Sequence, residues 1–159
     1  MKKLLGLLEK DCTLSVGQLA SMLGRGEQEV ADMIARCRTE GIILGYKAVI
    51  DWEKVHEESV TALIDVKVTP QRGEGFDRVA ERIYQFDEVE SLYLMSGGYD
   101  LSVLITGRTM KEVALFVAQK LAPLESVSGT ATHFLLKKYK ESGIVFVPRE
   151  EQQERILMV

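Results

Sequence analysis

The sequence predicts an α+β fold in two parts, three short helices followed by a β-α-β-β-α-β unit. Three observations predict it. Apolar residues recur at helical spacing through the first forty positions. Strict alternation follows in Val60–Thr69. A paired-glycine bend, Ser96-Gly97-Gly98-Tyr99-Asp100, then feeds the apolar run Leu101–Gly107.

The first part spans residues 1–50. Leu4, Leu5 and Leu8 share one face of a first helix, and Asp11-Cys12-Thr13 turns the chain. Ser15 is placed to cap a second helix, with Val16, Leu19, Ala20 and Leu23 inward. Gly24-Arg25-Gly26 breaks it. A third helix carries Val30, Met33, Ile34 and Cys37 inward and stops at Glu40-Gly41, where glycine suits the left-handed position. Two helices joined by a three-residue glycine turn make a helix-turn-helix, and Ile42–Ile50 reads as a strand, its wing. A plain three-helix bundle is the alternative.

Residues 51–59 are charged and aperiodic, a hinge. The second part, 60–140, begins with a strand whose Val60, Ala62, Ile64, Val66 and Val68 face inward. Pro70-Gln71-Arg72-Gly73 is a turn. Phe76, Val79, Ala80 and Ile83 mark a helix, and Val89–Met95 and Leu101–Gly107 two strands. Thr109 caps a second helix with Met110, Val113, Ala114, Val117 and Leu121 inward, ended by Pro123. Val127–Lys138 is the fourth strand. This order is the ferredoxin-like unit. Residues 141–159 form a C-terminal strand tail, paired with its own sheet or with a second subunit.

The composition excludes several classes. No apolar run approaches the roughly 18 residues that span a bilayer. Met1–Leu8 is too short for a signal peptide, and with two cysteines, Cys12 and Cys37, the reading is a cytoplasmic protein with free thiols. The formal net charge of −4 is uneven: residues 1–50 are close to neutral and the rest is acidic. There is no phosphate-binding loop, dinucleotide fingerprint or zinc spacing. His56 and His133 lack a spaced ligand set, so the expectation is no metal, no cofactor and no catalysis.

If the third helix enters a DNA major groove, its outward residues meet bases and phosphates. Gln28 is suited to adenine, and Glu27, Glu29 and Asp32 to a cytosine amino group. Arg25, Arg36, Arg38 and Lys47 are the expected phosphate contacts, with Lys2 and Lys3 in support. The carboxylates suit the helix dipole but oppose a phosphate backbone. The expected non-specific affinity is therefore weak, with a shallow salt dependence.

Gly41-Ile42-Ile43-Leu44-Gly45-Tyr46 with Ala48, and Ser96-Gly97-Gly98-Tyr99-Asp100, together resemble the leucine-responsive/asparagine-regulator (Lrp/AsnC) family of transcription factors. The resemblance covers nearly the whole chain. It implies a winged helix-turn-helix binding double-stranded DNA, a ligand-sensing (RAM-type) α/β domain, and homodimers assembling to octamers or similar discs. It also implies amino-acid effectors bound where dimers meet. On this reading Gly97, Gly98, Tyr99 and Asp100 match the effector turn, and Thr132 the effector cleft. Asp100 holds the effector ammonium, or instead caps neighbouring N–H groups of its own turn. Family recognition helices open with Ser, Pro and Thr and carry several cations, whereas here Gly26-Glu27-Gln28-Glu29 and Asp32 take those places. A sensor with little DNA affinity is one alternative. Sirohaem decarboxylases, which share the two-domain layout, are another.

Overall fold

The computed structural model describes residues 1–55, 58–69 and 75–146. His56, the expected turn at 70–73 and the tail beyond residue 146 lie outside them. The chain divides into two compact units, Met1–Ala48 and the chain from Val49 onward.

The first unit contains α1 (Lys2–Lys10), α2 (Val16–Leu23) and α3 (Glu27–Thr39). Leu4, Leu8, Leu19, Ala20 and Val30 are buried together, as the spacing requires, with Leu23, Met33, Ile34 and Ile43 packed around them. Ser15 and Gln18 form a reciprocal capping box at α2: the Gln18 N–H donates to Ser15 Oγ, and the Ser15 N–H to Gln18 Oε1. Such a cap contributes about 1 kcal/mol. Gly24 closes α2 in the left-handed region at φ 64°. At the end of α3, Gly41 (φ 68°) reverses the chain so that the N–H groups of Ile42 and Ile43 both donate to Cys37 O.

The predicted wing strand is not formed. Residues 42–50 carry no strand pairing among the described residues. A strand needs a partner to satisfy its backbone, and alternation alone does not supply one. Ile43 packs on the helices, but Leu44 is 94% exposed.

In the second unit a 3-10 turn, Trp52–Val55, occupies part of the expected hinge. Then come β1 (Val60–Val68), α4 (Phe76–Tyr84), β2 (Val89–Leu94), β3 (Leu101–Gly107), α5 (Met110–Phe116) and β4 (Val127–Phe134). The sheet is antiparallel in the order β2-β3-β1-β4. Ala62, Ile64, Val66 and Val68 of β1 meet Val79 and Ile83 of α4 and Val113 and Phe116 of α5 in one core, which places both helices on the same face.

Three expectations are corrected. Met110 and Ala114 are exposed and Phe116 is buried in their place. Val113 and Phe116, three residues apart, share the buried face of α5, which leaves Met110 and Ala114 outside it; a π-helical turn, Val117–Leu121, follows. β4 stops at Phe134 rather than Lys138. The Leu135 N–H donates to Thr61 O, and β1 starts only one residue earlier, so no further rung exists. Ile144–Val145 (β6) pairs with Lys140–Glu141 (β5) in a small hairpin of its own, turned by Ser142-Gly143, rather than with the main sheet.

Candidate functional site

Two groups of residues carry the functional expectations, one in each unit.

On α3 the residues expected at DNA are all exposed, and most are occupied by neighbours. Arg25 pairs with Glu29. Gln28 Nε2 donates to Asp32 Oδ1 at 3.0 Å. Arg36 Nε lies 3.7 Å from Glu40 Oε1. The Arg38 guanidinium stands 5.2 Å from the centre of the Tyr46 ring. Glu27 lies over α2: a Cβ built on Gly17 would come 3.1 Å from Glu27 Oε1. That glycine lets a carboxylate sit beside the amino-terminal turn of α2, where the helix dipole favours it. Lys47 is exposed beyond α3. The ion pairs are solvent-exposed and i,i+4, a class worth about 0.3–0.5 kcal/mol, so competing anions displace them at little cost.

In the second unit the bend between β2 and β3 is closed by the Met95 N–H donating to Asp100 O at 2.8 Å. Gly97 has φ 155°, a conformation that side-chain-bearing residues rarely adopt. Gly98 does not share it, and a Cβ on either glycine meets nothing within 4 Å among the described residues. Tyr99 is exposed, as are Tyr93, Leu94 and Met95 at the end of β2.

Asp100 is the fixed point of this bend. Its N–H donates to Val66 O at 3.0 Å. Its Oδ2 accepts the Val68 N–H at 2.9 Å and lies 3.2 Å from Lys67 Nζ. Oδ1 meets Lys67 Nζ at 3.4 Å. The Val68 bond, with help from the Lys67 ammonium, holds the carboxyl below its ordinary range against a smaller opposing effect of burial. The carboxylate thus caps an N–H across the sheet, not within its own turn. The register of β1 against β4 shifts between Lys67 and Val68, at the same place.

Thr132 is not brought to the bend. It pairs with Ile64 and so shares the helix-covered face, whereas Lys67 projects from the other face. Lys67 is the residue that sequence reasoning missed. Alternation put it on the open face, but only the strand register brings it to Asp100. That open face also carries a polar line. Ser102 Oγ donates to Asp65 Oδ1 at 3.2 Å, and His133 Nε2 lies 3.4 Å from Asp65 Oδ2. The carboxylate stands between the other two, so the histidine is not positioned to activate the serine. Among the described residues no His, Cys, Asp and Glu group could hold a metal ion, and no helix is long and apolar enough to cross a membrane.

The Lrp/AsnC ligand-binding domain model matches residues 61–145, the strands and bend just described. The chain belongs to the Lrp/AsnC family. The uncharacterized HTH-type transcriptional regulator YugG of Bacillus subtilis is 50% identical to it over 156 residues, 98% of this chain and 94% of that one. The proline dehydrogenase transcriptional activator of Rhizobium radiobacter is 27% identical over 89% and 90% of the two chains. A transcriptional regulator of Neisseria meningitidis, solved as a complex with L-Met, shares the fold with a TM-score of 0.70. It covers 94% and 95% of the two chains at 20% identity.

Proposed function

We propose that this Lrp/AsnC chain is a DNA-binding transcriptional regulator whose activity is set by an amino acid at the Gly97–Asp100 bend. The first unit serves as the DNA-binding module, with α3 as recognition helix. The observation that carries the effector reading is Gly98. Its backbone does not need glycine, and nothing among the described residues crowds it. A glycine kept without a conformational need suits close approach by something outside the chain, a ligand or a second subunit.

In this reading the effector carboxylate is held by the N–H groups of Gly97 and Gly98 and by the Lys67 ammonium. Asp100 Oδ1, which among the described residues has only the long contact to Lys67, receives the effector ammonium. Oδ2 stays on Val68 and keeps the bend in shape. Tyr99, with Tyr93 and Met95, offers an apolar wall. Thr132 enters only from a second copy of the chain. The L-Met complex of the Neisseria relative makes methionine a first candidate. Effector binding at a junction between dimers favours one assembly, an octamer or similar disc, over another. Sedimentation velocity of the wild type and Asp100→Ala, with and without each amino acid, tests this. The effector-dependent change in size is expected in the wild type alone. An unchanged response in the variant contradicts the role of Asp100.

One observation favours a second reading, a sensor with weak DNA affinity. Arg25, Arg36 and Arg38 are each engaged inside their own unit. Gel shift at low salt with the gene's own upstream DNA separates the two. Retardation supports the regulator, and no retardation at micromolar protein supports the sensor.

A further inference from the structure

The second unit carries a cleft of about 640 Å³ at the opposite end of β3 from the glycine bend. Small-molecule pockets run from roughly 300 to 1,000 Å³. Ile105, Val113 and Phe116 give it a buried apolar lining, and Trp52 a half-exposed aromatic one.

The charged lining is unbalanced. Four carboxylates, Glu58, Glu88, Glu90 and Glu112, stand against two cations, Arg108 and Lys120. Lys120 is already committed. It pairs with Glu88, and its ammonium lies 5.2 and 5.7 Å from the ring centres of Phe86 and Phe116. Those rings meet edge to face at 5.7 Å. The Lys120 pairing also holds the Glu88 carboxyl below its usual range. Glu112 accepts the Arg108 N–H at 2.8 Å. Among the described residues no ion pair takes the side chains of Glu58, Glu90 or Arg108. The cleft therefore keeps an excess of negative charge beside an apolar and aromatic surface.

We propose that this cleft binds a small primary amine with an apolar body. Glu58 and Glu90 hold the ammonium through charge-assisted hydrogen bonds. The body lies on Trp52 and the Ile105–Val113–Phe116 lining, and the indole face adds attraction for the cation. A neutral molecule of the same shape desolvates the carboxylates without donating to them. Among the described residues a zwitterion's carboxylate finds one uncommitted cation, Arg108, but stands against Glu58, Glu90 and Glu112. No residue of the Ser96–Asp100 bend lines the cleft, so the proposal stands or falls apart from the effector reading.

Trp52 is the chain's single tryptophan, so its emission reports this cleft alone. The full chain is titrated near pH 7 with 2-phenylethylamine, and separately with 2-phenylethanol and L-phenylalanine. A saturable change in Trp52 emission is expected with the amine. Its affinity is expected to fall at least about tenfold in the Glu58→Gln, Glu90→Gln double variant. Both residues are exposed, and an unchanged unfolding midpoint checks that the variant is folded. No saturable change up to about 10 mM amine, a range that covers weak millimolar binding, overturns the proposal. So does equal affinity in the double variant, or binding of the alcohol or of phenylalanine as tight as that of the amine.

Discussion

Asp100 Oδ2 accepts the backbone N–H of Val68 at 2.9 Å, although 32 residues separate the two. The last rung of the β1–β3 ladder is Val66 with Leu101. Beyond it β3 has turned away, and the Asp100 side chain supplies the acceptor that the backbone no longer offers. Its folded-state pKa is therefore depressed. A depressed carboxyl contributes stability that is present above its unfolded value, near 3.8, and lost as pH falls through the folded one. The wild type is expected to lose thermal stability below about pH 4. Asp100→Asn, which keeps an acceptor but has no charge to titrate, is expected to lose less over that window. Unfolding midpoints at pH 3–6 check this.

The two glycines of the bend are expected to separate. Gly97→Ala forces a side chain onto φ 155° and is expected to cost about 1–3 kcal/mol. Gly98→Ala meets open space and is expected to leave stability within about 0.5 kcal/mol of the wild type. Urea unfolding of both variants measures the difference.

Much of this was legible from residue spacing, and the exceptions share a physical cause. The alternation of Val60–Val68 and the stop at Gly41 are local properties, readable from side-chain period and backbone freedom. The missing wing, the early end of β4 and the Lys67–Asp100 contact depend on which backbone lies opposite, which no local pattern encodes. The exchange of Phe116 for Ala114 has another origin. Both lie in the α-helical part of α5, where the buried face runs from Val113 to Phe116 at i, i+3 spacing and leaves Ala114 outside it. At the candidate site the sequence pointed to Asp100 as ammonium ligand or cap, and the cap it makes reaches a different strand.

On α3, the carboxylates hold the arginines that a phosphate backbone would need. Glu29→Gln with Glu40→Gln frees Arg25 and Arg36. Stability is expected to change by less than about 0.5 kcal/mol, as for exposed pairs. DNA affinity is expected to rise, and the slope of log K against log salt to steepen by about 0.9 for each new phosphate contact. Gel shifts over a salt series read both.

Gly6 sits inside α1 with nothing within 4 Å of an added Cβ. Gly6→Ala removes backbone freedom from the unfolded chain and restores helix propensity. It is expected to stabilise the first unit by about 0.5–1 kcal/mol, measured by denaturant unfolding followed by helical circular dichroism.

The proposed effector site requires that Gly98 be open to an amino acid from outside its own chain. A thermal-shift series with the twenty amino acids, L-methionine first, on wild type and Gly98→Ala tests it most directly, because a ligand that binds only the folded state raises the midpoint. At least one amino acid is expected to raise the wild-type midpoint and to leave that of Gly98→Ala in place. An equal rise in both proteins, or none in the wild type, contradicts it.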